Sequence, residues 1–591
     1  MANSRTNLWR QPVRWIACLT SLALICLILE FLPTGPLPES AGGDQGHWSS
    51  LMPPLVAVVL AISFRSLVAA LSCAFLTGAV LNFGFNPLVF VPSSVRDFLW
   101  ANVTGQFSLY IFGFLFALVG MVHVLYKSGG IQGLVVVFSR IARSARSAKI
   151  ATFGAGLMIF FDDYSNTIVV GQTMRSLTDR FKISREKLAY IVDSTTAPIA
   201  GLAVISSWIA YEVWLLGSTV QSLGMETGGY AVFVQMLPVR FYCWGTLIFL
   251  IINIMTRRDF GPMLKAERRA RETGQVVAPD ARPLLRENPE RLEPPAGTPF
   301  RWWNAGVPLA TVLFGVLGGI LYVGSSRLMR DGSSPEFFTL IGLREIFGIT
   351  VYDPSLPDGG PGVPLVLFWA AVAGGIVAIL MPVFQRLLKP VEAVGAYAGS
   401  LPTLGVTLFI LPMAWAMKTI CEELGTSYYL LSMVGEALPL AAVPLLTFVL
   451  AAGMAFAMGT SWGTMGVMIP IMLPFVWLLG ADDPTRMMIF VLTAAAVLDG
   501  AIFGDHCSPI SDTTVLSSLA TGCDHLHHVA TQLPYALSTM LLASVSGYTL
   551  IAFFGLPPIV FYFLFPILAF VLLRLIGRRI DLETGAESIA K

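Results

Sequence analysis

Charged residues are scarce in this chain of 591 residues: Asp, Glu, Lys and Arg make up 12%, about half of the roughly 25% usual in soluble domains. That excludes a water-soluble enzyme as a description of the whole. Neither sign dominates, since 37 Lys and Arg against 36 Asp and Glu leave a formal net charge of +1. No domain therefore carries the basic excess that nucleic-acid phosphates require. The seven cysteines, Cys18, Cys26, Cys73, Cys243, Cys421, Cys507 and Cys523, never form a CxxC pair, so no zinc or disulfide framework is implied. HExxH, GxSxG and P-loop patterns are also missing, which leaves no common enzyme motif and no cofactor to expect.

What is present is apolar: 55% of residues are hydrophobic and the mean hydropathy is +0.73. Runs of about 20 apolar residues span a bilayer, so the expectation is an all-α polytopic membrane protein with roughly ten to thirteen membrane segments. The first run, 15–32, follows Arg5, Arg10 and Arg14. It is longer than a signal-peptide core and reads as a first helix with a cytoplasmic N-terminus.

Residues 150–174, IATFGAGLMIFFDDYSNTIVVGQTM, form an apolar stretch with two carboxylates and a Ser-Asn-Thr run at its middle. Basic residues bracket it: Arg140, Arg143, Arg146 and Lys149 before, Arg175, Arg180, Lys182, Arg185 and Lys187 after. Because such clusters mark cytoplasmic ends, a single crossing does not fit and a re-entrant hairpin does. Its turn would lie at membrane depth, where unwound backbone is tolerated only against protein or a wet cavity. Residues 131–149 place apolar side chains at helical spacing with arginines on another face, an interfacial-helix pattern. Beyond the hairpin, 188–217 is interrupted by DSTTAPIAG, where Pro198 and the Ser/Thr run argue for a discontinuous helix.

A linker at 257–301 with ten Lys or Arg residues follows and is expected in the cytoplasm. Connecting helices near 307–322 and 365–381 flank an outer loop at 325–362. From residue 401 the first half echoes. Placing Ser165 on Ser461 also places Gly129 on Gly425 and Phe160 on Phe456, and with one insertion Pro198 falls on Pro509 and Ser206-Ser207 on Ser517-Ser518. The second apolar pair, about 441–480, is flanked by Glu436 and Asp482-Asp483 rather than by bases, so its ends belong outside and the copy is inverted. The expected division is 1–50 N-terminal helix and outer loop, 51–256 first repeat, 257–301 linker, 302–400 connecting helices, 401–554 second repeat with a broken helix at 487–520, and 555–591 C-terminal helix and cytoplasmic tail.

In the first copy Asp162, Asp163, Ser165, Asn166 and Thr167 would face Asp193, Ser194, Thr195 and Thr196. In the second, Thr460, Ser461 and Thr464 would face Asp505, Ser508, Asp512 and Thr513. Carboxylate, hydroxyl, amide and freed carbonyl oxygens suit a hard cation that gives up its water. A carboxylate that holds either a proton or a cation, never both, is the simplest exchange device. Helix capping is the ordinary alternative for Asp162 and Asp163, and local backbone bonding for the Ser and Thr residues. Lys418 and Glu422, four apart, form an internal ion pair, or Lys418 holds an anionic substrate or replaces a cation in one state; His506 relays protons or is structural. His525, His527 and His528 look like a metal site, but the charged flank Asp524 and the place at a helix start favour a solvated interface.

Taken together, FFDDYSNTIVVG, LAYIVDSTTAPIAG, CEELGTSYYL, MGTSWGTMG and GDHCSPISDTT resemble the NhaC-type sodium/proton antiporter family, part of the ion transporter superfamily of inverted-repeat elevator carriers; the resemblance runs over about 51–550. It implies that Ser165, Asn166 and Thr167 hold sodium with the facing broken helix, while Ser461-Trp462-Gly463-Thr464 departs from that signature. It further implies a homodimer in a bacterial-type plasma membrane, sodium and protons as transported species, and hairpins and broken helices moving as a transport domain. Some members exchange plain cations, others organic acids or amino acids.

Overall fold

In the computed structural model, residues 47–580 are described except 65–66, 141, 226, 282–293, 296, 435–437 and parts of 331–361. The expected first helix at 15–32 and the end of the tail lie outside the described residues. Within them the chain is helical; the one strand pairing joins Arg258–Asp259 antiparallel to Arg578–Arg579. Among the described residues, eight helices are long and apolar enough to cross a membrane, or nine if the bent pair Val68–Phe83 and Pro87–Thr104 is one span. The protein is an all-α polytopic membrane protein. Fewer full spans than apolar segments are found because segments such as Ala145–Met158, Arg185–Ser194 and Ile209–Ser222 are short.

Three long helices, Gln106–Lys127, Trp303–Arg330 and Gly362–Phe384, pack on one another. Only 22% of the apolar window of Trp303–Arg330 is buried, so this helix sits at the periphery with Phe314 and Tyr322 outward. It runs past the expected loop start at residue 325, because the buried Arg327 donates to the Ile349 carbonyl at 2.7 Å.

The expected interfacial helix at 131–149 is two pieces. Helix Gly130–Ser139 ends, and Ser144 caps Ala145–Met158 by accepting from the Ser147 amide at 3.2 Å. A cap satisfies amides that a continuing helix would use internally, so the chain restarts there. Ile131, Leu134 and Val135 are buried inside the fold rather than laid on a lipid surface.

The linker contains a helix, Gly261–Thr273, with Pro262 in its first turn and left-handed Gly274 after its last. Met263, Ala266, Glu267 and Ala270 share its buried face. Glu267 accepts from Lys149 and, at 2.9 and 2.8 Å, from the amide and hydroxyl of Ser184. Arg269 grips both carboxylate oxygens of Glu186 at 3.0 and 2.9 Å. Lys149 begins the first hairpin and Ser184 follows it, so one carboxylate holds its entry and exit side by side.

Candidate functional site: two helix breaks and two hairpin tips

The first hairpin has arms Ala145–Met158 and Asp163–Arg180, and its tip meets the break after Arg185–Ser194. Asn166 is the clasp. Its Nδ2 donates to the Gly156 carbonyl at 2.8 Å, Ile159 at 3.3 Å and Thr195 at 2.7 Å. One amide thus satisfies carbonyls freed at the end of the arm and at the facing break. Thr167 and Thr196 share a hydrogen bond at 3.1 Å, and the Phe161 carbonyl accepts from the Ser207 amide at 3.0 Å. Glycine is required at 156, where a Cβ would lie 2.1 Å from Thr195 Oγ1.

Asp163 opens the second arm, buried, and accepts from its neighbour Tyr164's amide at 2.9 Å and from Trp208 Nε1 at 3.0 Å. Asp162 is half-buried beside it. The side chain of Ser165 lies outside the described residues.

The second pair has arms Val443–Met458 and Ser461–Leu479, and its break separates Arg486–Cys507 from Asp512–Thr521. Gly459 turns between the arms at φ +68 and lies against Ile510 in the break. Ser461 donates to Asp505 Oδ2 at 3.3 Å and Ser511 to Oδ1 at 2.6 Å, while Thr513 and Thr514 bond the Asp505 carbonyl at 3.3 and 2.8 Å. Ser508 donates to the Phe456 carbonyl at 2.7 Å, tying break to arm. Thr460 caps its helix by accepting from the Gly463 amide, and Thr464 back-bonds to the Thr460 carbonyl; both hydroxyls serve the backbone here.

The two halves meet at these places. Tyr164 of the first tip donates to Asp512 at the second break, on an exposed face. Ser194 of the first break bonds His506 Nε2 at 2.9 Å, and Tyr242 bonds the other ring nitrogen at 2.8 Å. Tyr211 stacks on Trp462 at 4.7 Å and donates to its carbonyl at 2.8 Å. Buried acceptors Asn166 Oδ1, Asp193 Oδ1 and Gln532 Oε1 have no hydrogen-bond donor. Such oxygens, with backbone carbonyls at unwound turns, can replace the water shell of a small hard cation.

Lys418 and Glu422 pair with each other at 3.1 Å inside helix Gly405–Glu423.

The chain matches the sequence pattern of the Na+/H+ antiporter family over residues 199–333 and 365–553, more than half its length. It belongs to the Na+/H+ antiporter family. This family member is therefore a secondary transporter, not an enzyme. An uncharacterized protein of Haemophilus influenzae is 31% identical over 524 residues, covering 88% of this chain and 93% of that one. The malate-2H(+)/Na(+)-lactate antiporter of Bacillus subtilis is 39% identical over 108 residues, 18% of this chain and 22% of that protein. Among solved structures, MtrF of Neisseria gonorrhoeae aligns at TM-score 0.47 and 13% identity over 77% of this chain and 83% of its own.

Several residues of this candidate site in the antiporter-family member escape a reading of the sequence. The sequence places His528 at a solvated interface, yet it is fully buried and donates to Asp193 Oδ2 at 3.1 Å, beside Gln532 at 2.8 Å. The flanking Asp524 misleads: it caps the helix through the His527 amide at 3.0 Å. The helical recurrence of His528, Gln532, Tyr535, Ala536 and Thr539 on one buried face is the signal that could have found it. Trp208, the donor to Asp163, lies between Ser207 and a helical run and carries no such signal.

Proposed function

We propose that the protein exchanges sodium or lithium for protons across a bacterial-type plasma membrane by alternating access. The observation that carries this reading is the Asn166 clasp. A single amide joins a hairpin tip to a helix break at buried, oxygen-rich backbone beside Asp163 and Asp193. In this reading Asp163, Asn166, Thr167 and the break at Asp193–Thr196 hold the cation, and its arrival drives a proton off a buried carboxylate that is protonated again on the return. Ser461 with Asp505, Ser511 and Thr513 is the counterpart in the second copy, and Asp512 and Tyr164 close it from the outer face. The two copies are inverted repeats, and the hairpins and breaks move as one body against Gln106–Lys127, Trp303–Arg330 and Gly362–Phe384. Both termini are cytoplasmic and the assembly is a homodimer.

Sodium-dependent proton efflux from proteoliposomes tests the assignment. Purified protein that answers neither sodium nor lithium rejects it. A second reading, exchange of a small carboxylate coupled to sodium or protons, is favoured by the match to the malate-2H(+)/Na(+)-lactate antiporter and by the aromatic group Trp208, Tyr211 and Trp462 at the second tip. Thermal stabilisation by malate or lactate, absent with sodium alone, would select it.

A further inference from the structure

Away from the tips, Glu212, Arg240 and Asp499 are fully buried within reach of one another. They come from three helices, Ile209–Ser222, the start of Phe241–Thr256 and Arg486–Cys507. Asp499 is completely served. Its Oδ1 accepts from Arg240 Nε at 2.8 Å and Cys243 Sγ at 3.2 Å, and its Oδ2 accepts from the Tyr242 amide at 2.7 Å and Tyr548 Oη at 2.9 Å. Those donors stabilise an ionised carboxylate, and the guanidinium balances it. Arg240 also donates Nη1 to the Gly201 carbonyl at 3.0 Å, directly after the first break.

Glu212 is the odd member. Arg240 comes no nearer than 3.8 Å, outside hydrogen-bond reach, and neither carboxylate oxygen has a donor. Two carboxylates against one guanidinium leave one surplus negative charge if both are ionised, and a buried unpaired carboxylate costs several kcal/mol. Among the described residues of the helices packed against its own, no other charge offsets it. Helices Gly229–Met236 and Ser461–Leu479, packed against its own, carry no charged side chain, and Tyr230 donates to the Val204 carbonyl. On Gln106–Lys127 it is Ser108 in the first turn that meets Trp214, whereas His123 and Lys127 lie in the last turns.

We propose that Glu212 is a proton-carrying site separate from the cation site at the tips. Its carboxyl is protonated in this conformation. The proton leaves to water when Glu212 closes on Arg240 and the carboxylate shares the guanidinium with Asp499. Trp208 supplies the link: it lies one helical turn before Glu212 and donates to Asp163. A cation arriving at Asp163 therefore acts on the helix that carries Glu212.

The inference rests on the sodium/proton reading, and its test separates the two. Full-length wild type, Glu212→Gln and Glu212→Asp are reconstituted, and radiolabelled sodium counterflow and sodium-driven proton flux are measured side by side. The expected result is that Glu212→Gln keeps counterflow within about twofold and loses proton flux about tenfold or more, with Glu212→Asp regaining part of it. Glu212→Gln with wild-type proton flux, or folded and devoid of both fluxes, overturns the proposal. Wild type without sodium counterflow sinks the sodium reading instead, and infrared spectra then decide on Glu212 alone. In wild type with heavy-carbon carboxyl label in glutamate, a carboxylic-acid C=O band at neutral pH that moves with the label supports a protonated glutamate, and its loss in Glu212→Gln assigns it. Absence of any such band in wild type overturns the proposal even where the Gln variant fails to fold.

Discussion

Asn166 Nδ2 lies 2.7 Å from the carbonyl oxygen of Thr195, joining a hairpin tip to a helix break 29 residues further along the chain. The same nitrogen reaches the end of its own hairpin's first arm. Tip and break therefore cannot part without leaving the buried Thr195 carbonyl without this donor, at a cost of about 1–3 kcal/mol.

Asn166→Ala is expected to raise the sodium concentration for half-maximal proton efflux by about tenfold or more, since about 1.4 kcal/mol corresponds to that factor. Sodium titration in proteoliposomes measures it. An unchanged titration would place the cation elsewhere.

Asp163→Asn and Asp193→Asn are each expected to abolish exchange while leaving insertion intact, because asparagine keeps the shape but can neither discharge a cation nor carry a proton. Membrane-fraction yield and efflux are read together. Full activity in both variants assigns the ion to other acids.

Gly156→Ala forces a methyl group to within 2.1 Å of Thr195 Oγ1. Overpacking of this kind costs about 1–3 kcal/mol, so the melting temperature in detergent should fall. Thr195→Ala combined with Gly156→Ala removes the nearest atom but keeps the Cβ of residue 195 at 2.6 Å, so it should recover only part of the loss.

Glu267→Gln removes the charge that Lys149 faces while leaving a side chain that still reaches Ser184. Breaking a buried ion pair costs about 3 kcal/mol. Limited proteolysis should then cut near residues 274–281 faster than in wild type, while cleavage elsewhere is unchanged.

Tyr164→Phe deletes the hydroxyl that reaches from the first tip to Asp512. Because both residues are exposed, the melting temperature should stay within about one degree, the behaviour of surface changes. The exchange rate should change. Equal rates would mean that this contact carries no part of the transport cycle.

How far the site was legible depends on how local its cause is. The breaks were: Pro198 cannot continue a helix, and Ser194, Thr195 and Thr196 offer the backbone alternative partners, so the interruption is written in consecutive residues. The buried triad was not. Glu212, Arg240 and Asp499 stand as single charges in apolar runs, a pattern that marks an intramembrane ionisable residue but does not say which other charge it meets. His528 shows the converse, a buried partner of Asp193 hidden behind an exposed-looking cluster because the cap at Asp524 and the buried face share one helix turn.

By itself the chain determined that it is helical and lies in a membrane, that it belongs with antiporters, and that it is interrupted after Asp193, because hydropathy, charge flanks and Gly, Pro and Ser placement act over a few residues. Which oxygens face one another was decided only in three dimensions. Asp193 needed His528 and Gln532, Asp163 needed Trp208, and Glu212 remained without a donor while Asp499 gained four. Pairing across hundreds of residues is set by how helices pack, and packing leaves no mark on the order of neighbours in the sequence.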